Sequence, residues 1–285
     1  VDSEGRSVGF SLKDLASHLA VVGLTGYGKT TLIKRVVSES YKLGVEFTVL
    51  DWEGEYGDLC EGLGVRRVRA FDLRFNPFDP GSMPPYDYAE WLSNTLEEVY
   101  VVEAGLEPLT PQMSYVLRRA VYRVVLEGGC FEDLLELFEE LSRGLPSGYA
   151  TRAALATRFS RLARGSISKV WGDGRVEFSR GSLVLDLSEL VRVSHRDSRF
   201  LSLLVLRRMV AETSTLRGSS LRRLVVVEEA EEVARRGLRS WTPVNFLLRM
   251  RKRGVGMVFA IHSPSLVDPG LLKSVANIAA FRLID

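Results

Sequence analysis

The chain has 285 residues, of which 46% are hydrophobic and 26% charged, and its 38 basic and 36 acidic side chains leave a net charge of +2. This composition suits an α/β protein with one large domain, and the balanced charge excludes overall basicity as a sign of nucleic-acid binding. Cys60 and Cys130 form no metal-ligand pattern, and neither a membrane span nor a signal peptide is evident, so we expect a cytoplasmic protein in a reducing compartment.

A strand, a glycine-rich loop and a helix open the recognisable part of the chain. Residues 8–15 are predicted as an entry strand and turn, and the apolar run 19–22 as the first core strand. The loop 23–30 reads Gly-Leu-Thr-Gly-Tyr-Gly-Lys-Thr, and an amphipathic stretch follows it. Phosphate binding needs this order, because backbone N–H groups wrap the anion and the first helical turn adds unpaired donors and a positive dipole end. The pattern predicts a nucleoside triphosphate site.

The loop also supplies side chains with predicted roles. Lys29 would reach the β- and γ-phosphates, and the hydroxyl of Thr30 would ligate Mg²⁺. The predicted nucleotide-binding positions are those of the loop and its first helical turn: Gly23, Thr25, Gly26, Tyr27, Gly28, Lys29, Thr30 and Thr31.

The remaining elements predict a mainly parallel sheet flanked by helices. Strands are expected at 45–50, 65–71, 182–187, 224–228, 256–261 and 278–283, and helices at 200–213 and 243–252. The strands are continuous apolar runs, as expected when helices cover both faces of a sheet. Between them, 88–164 has helical periodicity without a convincing strand. We therefore predict one P-loop domain, 1–285, with a helical insertion at 88–164.

Two adjacent acids end the apolar run 224–227. At the carboxyl end of a parallel strand such a pair projects into the nucleotide crevice. Glu228 would hold the Mg²⁺ shell, directly or through water, and Glu229 would polarise the attacking water as general base. The alternative is an acidic start to the next helix, which the helix dipole favours. The upstream phosphate loop favours the functional interpretation.

These motifs, in this order, resemble the HerA/FtsK superfamily of ring-forming DNA-pumping ATPases, nearest to its archaeal HerA-like branch. The segments that carry the resemblance are 18–30, 51–56 (Asp-Trp-Glu-Gly-Glu-Tyr), 227–230, 251–256 (Arg-Lys-Arg-Gly-Val-Gly), 260–265 and 280–283. The resemblance implies a RecA/FtsK-like P-loop NTPase fold with ATP and Mg²⁺ as cofactors. It also implies double-stranded DNA as partner, a homo-oligomeric ring, expected to be a hexamer, and a nuclease or other machine component as a further partner.

The resemblance implies two more site residues. His262 stands where the family has a polar sensor of the γ-phosphate, normally glutamine; an ordinary loop histidine is the alternative. Arg251 aligns with the arginine that a neighbouring subunit contributes to the transition state, with Arg249, Arg253 and Arg282 as other candidates. The same basic cluster could instead be a solvated helix end or a DNA contact.

The sequence departs from the family pattern at several points. Glu228 replaces the usual aspartate, which makes direct Mg²⁺ contact less certain. Asp51 and Glu55 could hold a water or a basic partner, or could serve a turn. The loop begins within about 23 residues, so the family's N-terminal β-barrel is expected to be missing. The C-terminal extension that braces neighbouring subunits in the family is likewise expected to be absent. Ring assembly is therefore expected to be weaker, partner-dependent or absent.

The predicted DNA-related function depends on the family resemblance more than on the distribution of basic residues. Basic clusters at 66–69, 152–164 and 235–239 could contact DNA phosphates, although most such clusters are solvated faces. No aromatic interleaving suggests single-strand stacking, so duplex DNA is favoured. We predict an ATPase that translocates double-stranded DNA. The alternatives are a switch or assembly ATPase of a secretion, pilus or conjugation machine, and a nucleotide-binding protein with little turnover.

Overall fold

A seven-stranded sheet with strand order β3-β4-β2-β5-β6-β1-β7 forms the centre of the protein, and all its paired strands are parallel. The structure is a computed structural model that describes residues 9–174, 176–214, 216–218, 220–237, 247 and 249–283. The strands are β1 Leu19–Val22, β2 Glu46–Asp51, β3 Arg66–Arg69, β4 Leu183–Asp186, β5 Arg223–Val227, β6 Val255–Ile261 and β7 Asn277–Ala280. The predicted fold class, a parallel α/β sheet flanked by helices, is confirmed.

Helices cover both faces of this sheet. Within the described residues they are α1 Leu12–Leu15, α2 Lys29–Lys42, α3 Gly57–Leu63, α4 Pro85–Glu97, α5 Pro111–Glu127, α6 Phe131–Ser142, α7 Gly148–Arg164, α8 Ser188–Val193, α9 His195–Glu212, α10 Ala230–Val233 and α11 Pro269–Ser274. Short 3₁₀ segments occur at Ala70–Asp72, Ser166–Val170 and Pro264–Leu266, and a π-helical turn at Glu98–Val102 continues α4. Of the predicted helix 243–252, residues 243–246 and 248 lie outside the described residues, and residues 247 and 249–251 are helical. No helix in the described ranges is long and apolar enough to cross a membrane.

The predicted entry strand is wrong where the structure describes it. Residues Leu12–Leu15 form α1, whose N-cap Ser11 accepts a hydrogen bond from the backbone of Asp14. The Asp14 carboxylate accepts in return from the backbone N–H of Ser11, at 2.9 Å. This reciprocal capping box satisfies two donors at the helix start and favours a helix over an extended chain.

Alternation along the strands divides the apolar residues between two cores. In β1, Leu19 and Val21 pack into the core that also holds Ile33 of α2, whereas Ala20 and Val22 pack into the larger core on the other face. Successive side chains of a strand point to opposite faces, so a strand buried on both sides must be apolar throughout. This explains why the strands appear in the sequence as continuous apolar runs.

Four helices, α4 to α7, fill the chain between β3 and β4. Thr110 caps α5 by accepting from the backbone N–H of Met113 at 3.3 Å, and Pro111 occupies the first turn. Apolar residues of all four helices join the larger core. The helices cover the range 88–164; that this range behaves as one inserted unit remains a prediction.

The strand order brings the carboxyl ends of three strands together. β6 lies between β1 and β5, with Val22 opposite Ile261 and Val227 opposite Phe259. Because the strands are parallel, the segments that follow them leave from the same edge of the sheet. The glycine loop, the acids after β5 and the turn after β6 are therefore neighbours, although they are far apart in sequence.

Candidate functional site

The glycine loop is fixed to the strands on both sides of β1. The N–H of Gly23 donates to the carbonyl of Ile261 at the end of β6, at 3.1 Å, and the N–H of Leu24 donates to the carbonyl of Arg282, at 2.9 Å. A Cβ added to Gly23 would lie 2.6 Å from the Cβ of Phe281, closer than real side chains approach. Glycine at position 23 therefore lets the loop lie directly against the segment that follows β7.

Two glycines at the end of the loop have left-handed backbone conformations, and α2 begins directly after the second of them. Gly26 and Gly28 have φ values of +83° and +94°, in the left-handed region that favours glycine. Gly28 is the N-cap of α2 and supplies no side-chain acceptor for the first N–H groups of the helix. Unpaired amides and the positive end of the dipole at a helix start are the elements of an anion site.

Lys29 is buried and points back into the loop. Its Nζ donates to the carbonyls of Gly23 at 2.7 Å and Leu24 at 3.0 Å, and to Nδ1 of His262 at 3.0 Å. Burial lowers the pKa of Lys29, while the nearby glutamates oppose that shift. A phosphate entering the loop would compete with these carbonyls for the ammonium group.

His262 joins Lys29 to Glu229. The ammonium of Lys29 can only donate, so Nδ1 accepts and Nε2 carries the hydrogen. That Nε2 donates to Oε1 of Glu229 at 2.7 Å. The bond to Glu229 raises the pKa of His262, against opposing effects of burial and of the charge on Lys29. The three predicted site residues thus form one continuous set of contacts.

The two adjacent acids have different surroundings, as their positions at the strand end suggest. Glu229 has φ +47°, so the chain turns sharply between β5 and α10. Glu228 is 4% exposed, and its Oε2 has no hydrogen-bond partner among the described residues. Burial raises the pKa of Glu228 to about 9, and the charge of Asp51 adds to the effect.

A cavity of about 350 Å³ collects most of the predicted residues. The lining consists of Thr25, Gly26, Gly28, Lys29, Thr30, Thr31, Glu53, Glu55, Glu228, Glu229, Ala260 and His262. Gly23 and Tyr27 belong to the same loop but do not line the cavity. The structure therefore brings the loop, both acids and His262 together.

The residues fit a magnesium ion that is only partly held by protein. The cavity offers a hydroxyl at Thr30 and a carboxylate at Glu228, and the free buried Oε2 of Glu228 lacks a partner. Oxygen donors suit Mg²⁺, which usually keeps waters and phosphate oxygens in its shell and needs few protein ligands. The described residues contain no group of three or more His, Cys, Asp or Glu side chains placed to hold a metal by themselves.

Glu231 is a site residue that the sequence analysis missed. Its Oε1 accepts from the backbone N–H groups of His262 at 3.0 Å and Ser263 at 3.2 Å, so it fixes the turn that carries the histidine. The signal in the sequence is a third acid two positions after the predicted pair. Glu53, which lines the cavity, was also missed.

Asp51 serves a turn in this structure. Its carboxylate accepts from the backbone N–H groups of Gly54 at 2.8 Å, Glu55 at 3.1 Å and Tyr56 at 3.1 Å. This decides between the two roles left open for Asp51 and shows how the loop after β2 is held beside the cavity.

Arg251 lies away from the cavity of its own chain. It is exposed and precedes β6, and its charge acts on His18, which precedes β1. His262 follows the other end of β6, and a strand of seven residues spans roughly 23 Å. Arg251 therefore belongs to the sheet edge opposite the glycine loop. Of the other candidates, Arg249 is exposed, whereas Arg253 is partly buried and donates to the carbonyl of Val210 at 2.7 Å.

Several arginines of the predicted basic clusters are paired within the chain. Arg67 contacts Asp186 at 2.6 Å, and Arg161 contacts the fully buried Asp197 at 2.6 Å. Arg152 contacts Glu139 at 3.1 Å. Arg235 and Arg236 are exposed, and the remainder of the 235–239 cluster lies largely outside the described residues.

The parallel sheet, the glycine loop with its lysine and threonine, and the acids at the end of β5 define a nucleotide-binding P-loop ATPase. A family model described as the central domain of helicase HerA matches residues 1–164, which is more than half of the chain. The chain belongs to this HerA central-domain family, and the resemblance to the HerA/FtsK superfamily is confirmed. No match was found among curated protein sequences.

Solved structures of two other proteins have the same fold. VirB4 of Thermoanaerobacter pseudethanolicus superimposes with a TM-score of 0.72 at 19% identity, over 93% of this chain and 77% of that one. The bacterial conjugative coupling protein TrwBΔN70 with sulphate gives 0.69 at 16% identity, over 94% and 70%. The plasmid coupling protein TrwB in complex with ADP and Mg²⁺ gives 0.68 at 16% identity, over 93% and 70%.

Proposed function

We propose that the protein is a Mg²⁺-dependent ATPase that couples ATP hydrolysis to movement of double-stranded DNA through a homo-oligomeric, six-membered ring. The observation that carries the ATPase part is the cavity in which the glycine loop, Glu228, Glu229 and His262 meet. Membership of the HerA family supports the motor part. We also propose that 1–285 acts as one ATPase domain with 88–164 as a helical insertion.

The loop amides and five side chains of the cavity have roles in this proposal. The loop amides and Lys29 bind the phosphates, with Lys29 exchanging the carbonyls of Gly23 and Leu24 for phosphate oxygens. Thr30 and Glu228 hold Mg²⁺, which when bound neutralises charge on the phosphates and leaving group. The neighbouring TrwB structure, which contains ADP and Mg²⁺, supports this choice of cofactors.

Two residues would act on the reacting atoms. Glu229 accepts the proton of the attacking water, and its bond to Nε2 of His262 fixes the direction of the carboxylate. His262 contacts the γ-phosphate through Nδ1, the ring nitrogen that accepts from Lys29 in this structure. Once Lys29 turns to the phosphates, Nδ1 takes up a proton and donates to a phosphate oxygen while Nε2 keeps its bond to Glu229. Arg251 acts in the site of a neighbouring subunit, because roughly 23 Å of β6 separates it from the site of its own chain.

The second candidate is an assembly or coupling ATPase that moves protein partners. The internal pairing of Arg67, Arg152 and Arg161 favours it, because these arginines are less available to DNA phosphates. The likeness to TrwB, a conjugative coupling protein, also favours it. Both candidates use the same ATP site.

ATP turnover with and without duplex DNA, measured together with mass in solution, separates the candidates. A DNA motor is expected to hydrolyse ATP several-fold faster with duplex DNA, in a particle of about six chains, and the stimulation should fall steeply with salt because phosphate contacts release counterions. Turnover that duplex DNA leaves unchanged favours the coupling ATPase. A protein that binds no ATP in the presence of Mg²⁺ contradicts both.

A further inference from the structure

The order of the strands gives the proposed triphosphate a direction. Glu229 follows β5, His262 follows β6, the glycine loop follows β1, and Arg282 follows β7, which lies on the far side of β1 from β5. In the proposed function the terminal phosphate lies toward Glu229 and His262. The other phosphates lie along the loop, so the nucleoside of the bound nucleotide lies on the side of the loop nearest β7.

An aromatic ring and a guanidinium group meet on that side. Tyr27 lies in the chain between Gly26 and Gly28, both of which line the cavity, and its side chain is 44% exposed. The guanidinium carbon of Arg282 lies 5.6 Å from the centre of the Tyr27 ring, and Nη1 donates to the Tyr27 hydroxyl at 3.1 Å. Backbone N–H groups are enough to wrap an anion, so the exposed ring of Tyr27 is available for another contact.

The backbone holds this pair in place. The carbonyl of Arg282 accepts from the N–H of Leu24 at 2.9 Å, and the N–H of Phe281 donates to the carbonyl of Val22 at 2.7 Å. The ring of Phe281 lies against the loop, with Cε1 at 3.8 Å from where a Cβ on Gly28 would be. Backbone bonds at the start of the loop and the Phe281 ring near its end thus hold the pair beside the loop.

We propose that Tyr27 and Arg282 form the platform on which the base of the bound nucleotide stacks. The cavity of about 350 Å³ takes the phosphates and the metal, and the base lies outside it on the exposed ring and guanidinium plane. This inference rests on the proposed ATP site and names the part of the site that binds the nucleoside. Stacking tolerates any base, so the platform provides affinity with little discrimination between ATP and GTP.

Calorimetric titration with two ligands tests the platform. MgATP has a base and magnesium tripolyphosphate has none, whereas both occupy the loop. Tyr27→Ala and Arg282→Ala are each expected to weaken MgATP binding about tenfold while the affinity for tripolyphosphate stays within twofold. Tyr27→Phe keeps the ring and is expected to lose less than threefold.

A matched control comes from the surface of α5. Tyr115 is also exposed and also contacts an arginine, Arg119, whose guanidinium carbon lies 5.7 Å from the ring centre and whose Nη1 donates to the hydroxyl at 3.0 Å. Tyr115→Ala is expected to leave the affinity for both ligands unchanged. The control shows whether loss of any exposed tyrosine–arginine pair affects the site.

Four results would overturn the inference. Variants that bind MgATP as the wild type does show that the base lies elsewhere. Variants that lose MgATP and tripolyphosphate equally show that the pair only holds the loop. A large fall in kcat with unchanged MgATP affinity in Arg282→Ala shows that Arg282 acts as a transition-state arginine instead. Wild-type protein that binds neither ligand contradicts the proposed ATP site as well.

Discussion

Glu229, which accepts a hydrogen bond from His262, allows the sharpest prediction at the scale of single residues. In Glu229→Gln the amide oxygen can still accept from Nε2 of His262, so the geometry at 2.7 Å is retained while the general base is lost. We expect kcat to fall about 10²- to 10⁴-fold with ATP binding preserved. Steady-state hydrolysis and calorimetry measure the two quantities.

The control for this variant is Glu61→Gln on α3. Glu61 is exposed and does not line the cavity, so its variant should turn over ATP at the wild-type rate. A Glu229→Gln protein that keeps its turnover would show that another group activates the water.

His18 makes a prediction about pH and stability. It is 2% exposed, its Nδ1 accepts from the N–H of Met257 and its Nε2 donates to the carbonyl of Leu247, both at 3.0 Å. Burial lowers its pKa to about 4, and the charge of Arg251 contributes. The unfolded chain binds a proton below about pH 6.5 whereas the folded chain resists until about pH 4, so stability falls across this window as pH decreases.

Urea unfolding between pH 7.5 and pH 4 measures this contribution. The wild type is expected to lose about 3 kcal/mol more than His18→Asn by pH 4. Asparagine is the matched replacement because it tolerates the φ of +69° at this position and does not titrate. Equal pH slopes in the two proteins would contradict the assignment of a neutral buried histidine.

Site residues could be predicted from the sequence where the functional group lies next to the strand that positions it. The glycine loop and the acids after β5 each follow an apolar strand directly, so a short window contains both the element and the functional group. Asp51 binds backbone N–H groups only three to five positions on, and a turn role was among the interpretations of its sequence. Glu231 acts on the turn at 262–263, about thirty positions away. Nothing in a local window specifies a backbone amide at that separation.

At the scale of elements, α7 shows how a basic helix can serve the fold. Arg161 donates through Nε and Nη2 to Asp197 of α9, which is fully buried and also accepts from the hydroxyl of Tyr100 at 2.9 Å. Removing the guanidinium would leave a buried carboxylate without its counter-charge. We expect Arg161→Ala to lower the free energy of unfolding by about 3 kcal/mol.

Arg164, exposed near the end of the same helix, is the control for that measurement. Arg164→Ala should change stability by less than about 0.5 kcal/mol, as surface substitutions usually do. If Arg161→Ala left stability unchanged and instead reduced the salt dependence of DNA binding, the basic face of α7 would be a DNA contact.

The elements themselves were largely predictable, with one instructive error. Each of the seven strands overlaps a predicted strand. In β1, β4, β5 and β6 every residue is buried, and burial on both faces leaves a signal in every residue. The edge strand β3 is mostly exposed and carries three arginines, so it lacks this signal. The segment before β1 was predicted as extended, although Ser11 and Asp14 have the spacing of a capping box. Its apolar residues are too few to distinguish a four-residue helix from a strand, so the polar cap was the better signal.

At the scale of the whole molecule, the position of Arg251 predicts that active sites form between subunits. Arg251→Ala and Glu229→Gln should each lower turnover at least about 10²-fold when assembled alone. Mixed rings of the two should recover part of it, because a subunit with intact Glu229 can receive Arg251 from its neighbour. Hydrolysis rates of proteins mixed before assembly measure this recovery.

A second mixture provides the control. Lys29→Ala and Glu229→Gln both damage the cavity of their own chain, so mixing them should restore no activity. Recovery in this pair, or none in the mixture with Arg251→Ala, would contradict a site shared between subunits.

The imidazole of His262 has one nitrogen on the ammonium of Lys29 and the other on the carboxylate of Glu229. A planar ring moves as a rigid body, so any displacement at one nitrogen changes the contact at the other. We therefore expect phosphate binding at Lys29 and the orientation of the Glu229 carboxylate to be mechanically coupled. Hydrolysis would then begin when ATP binds.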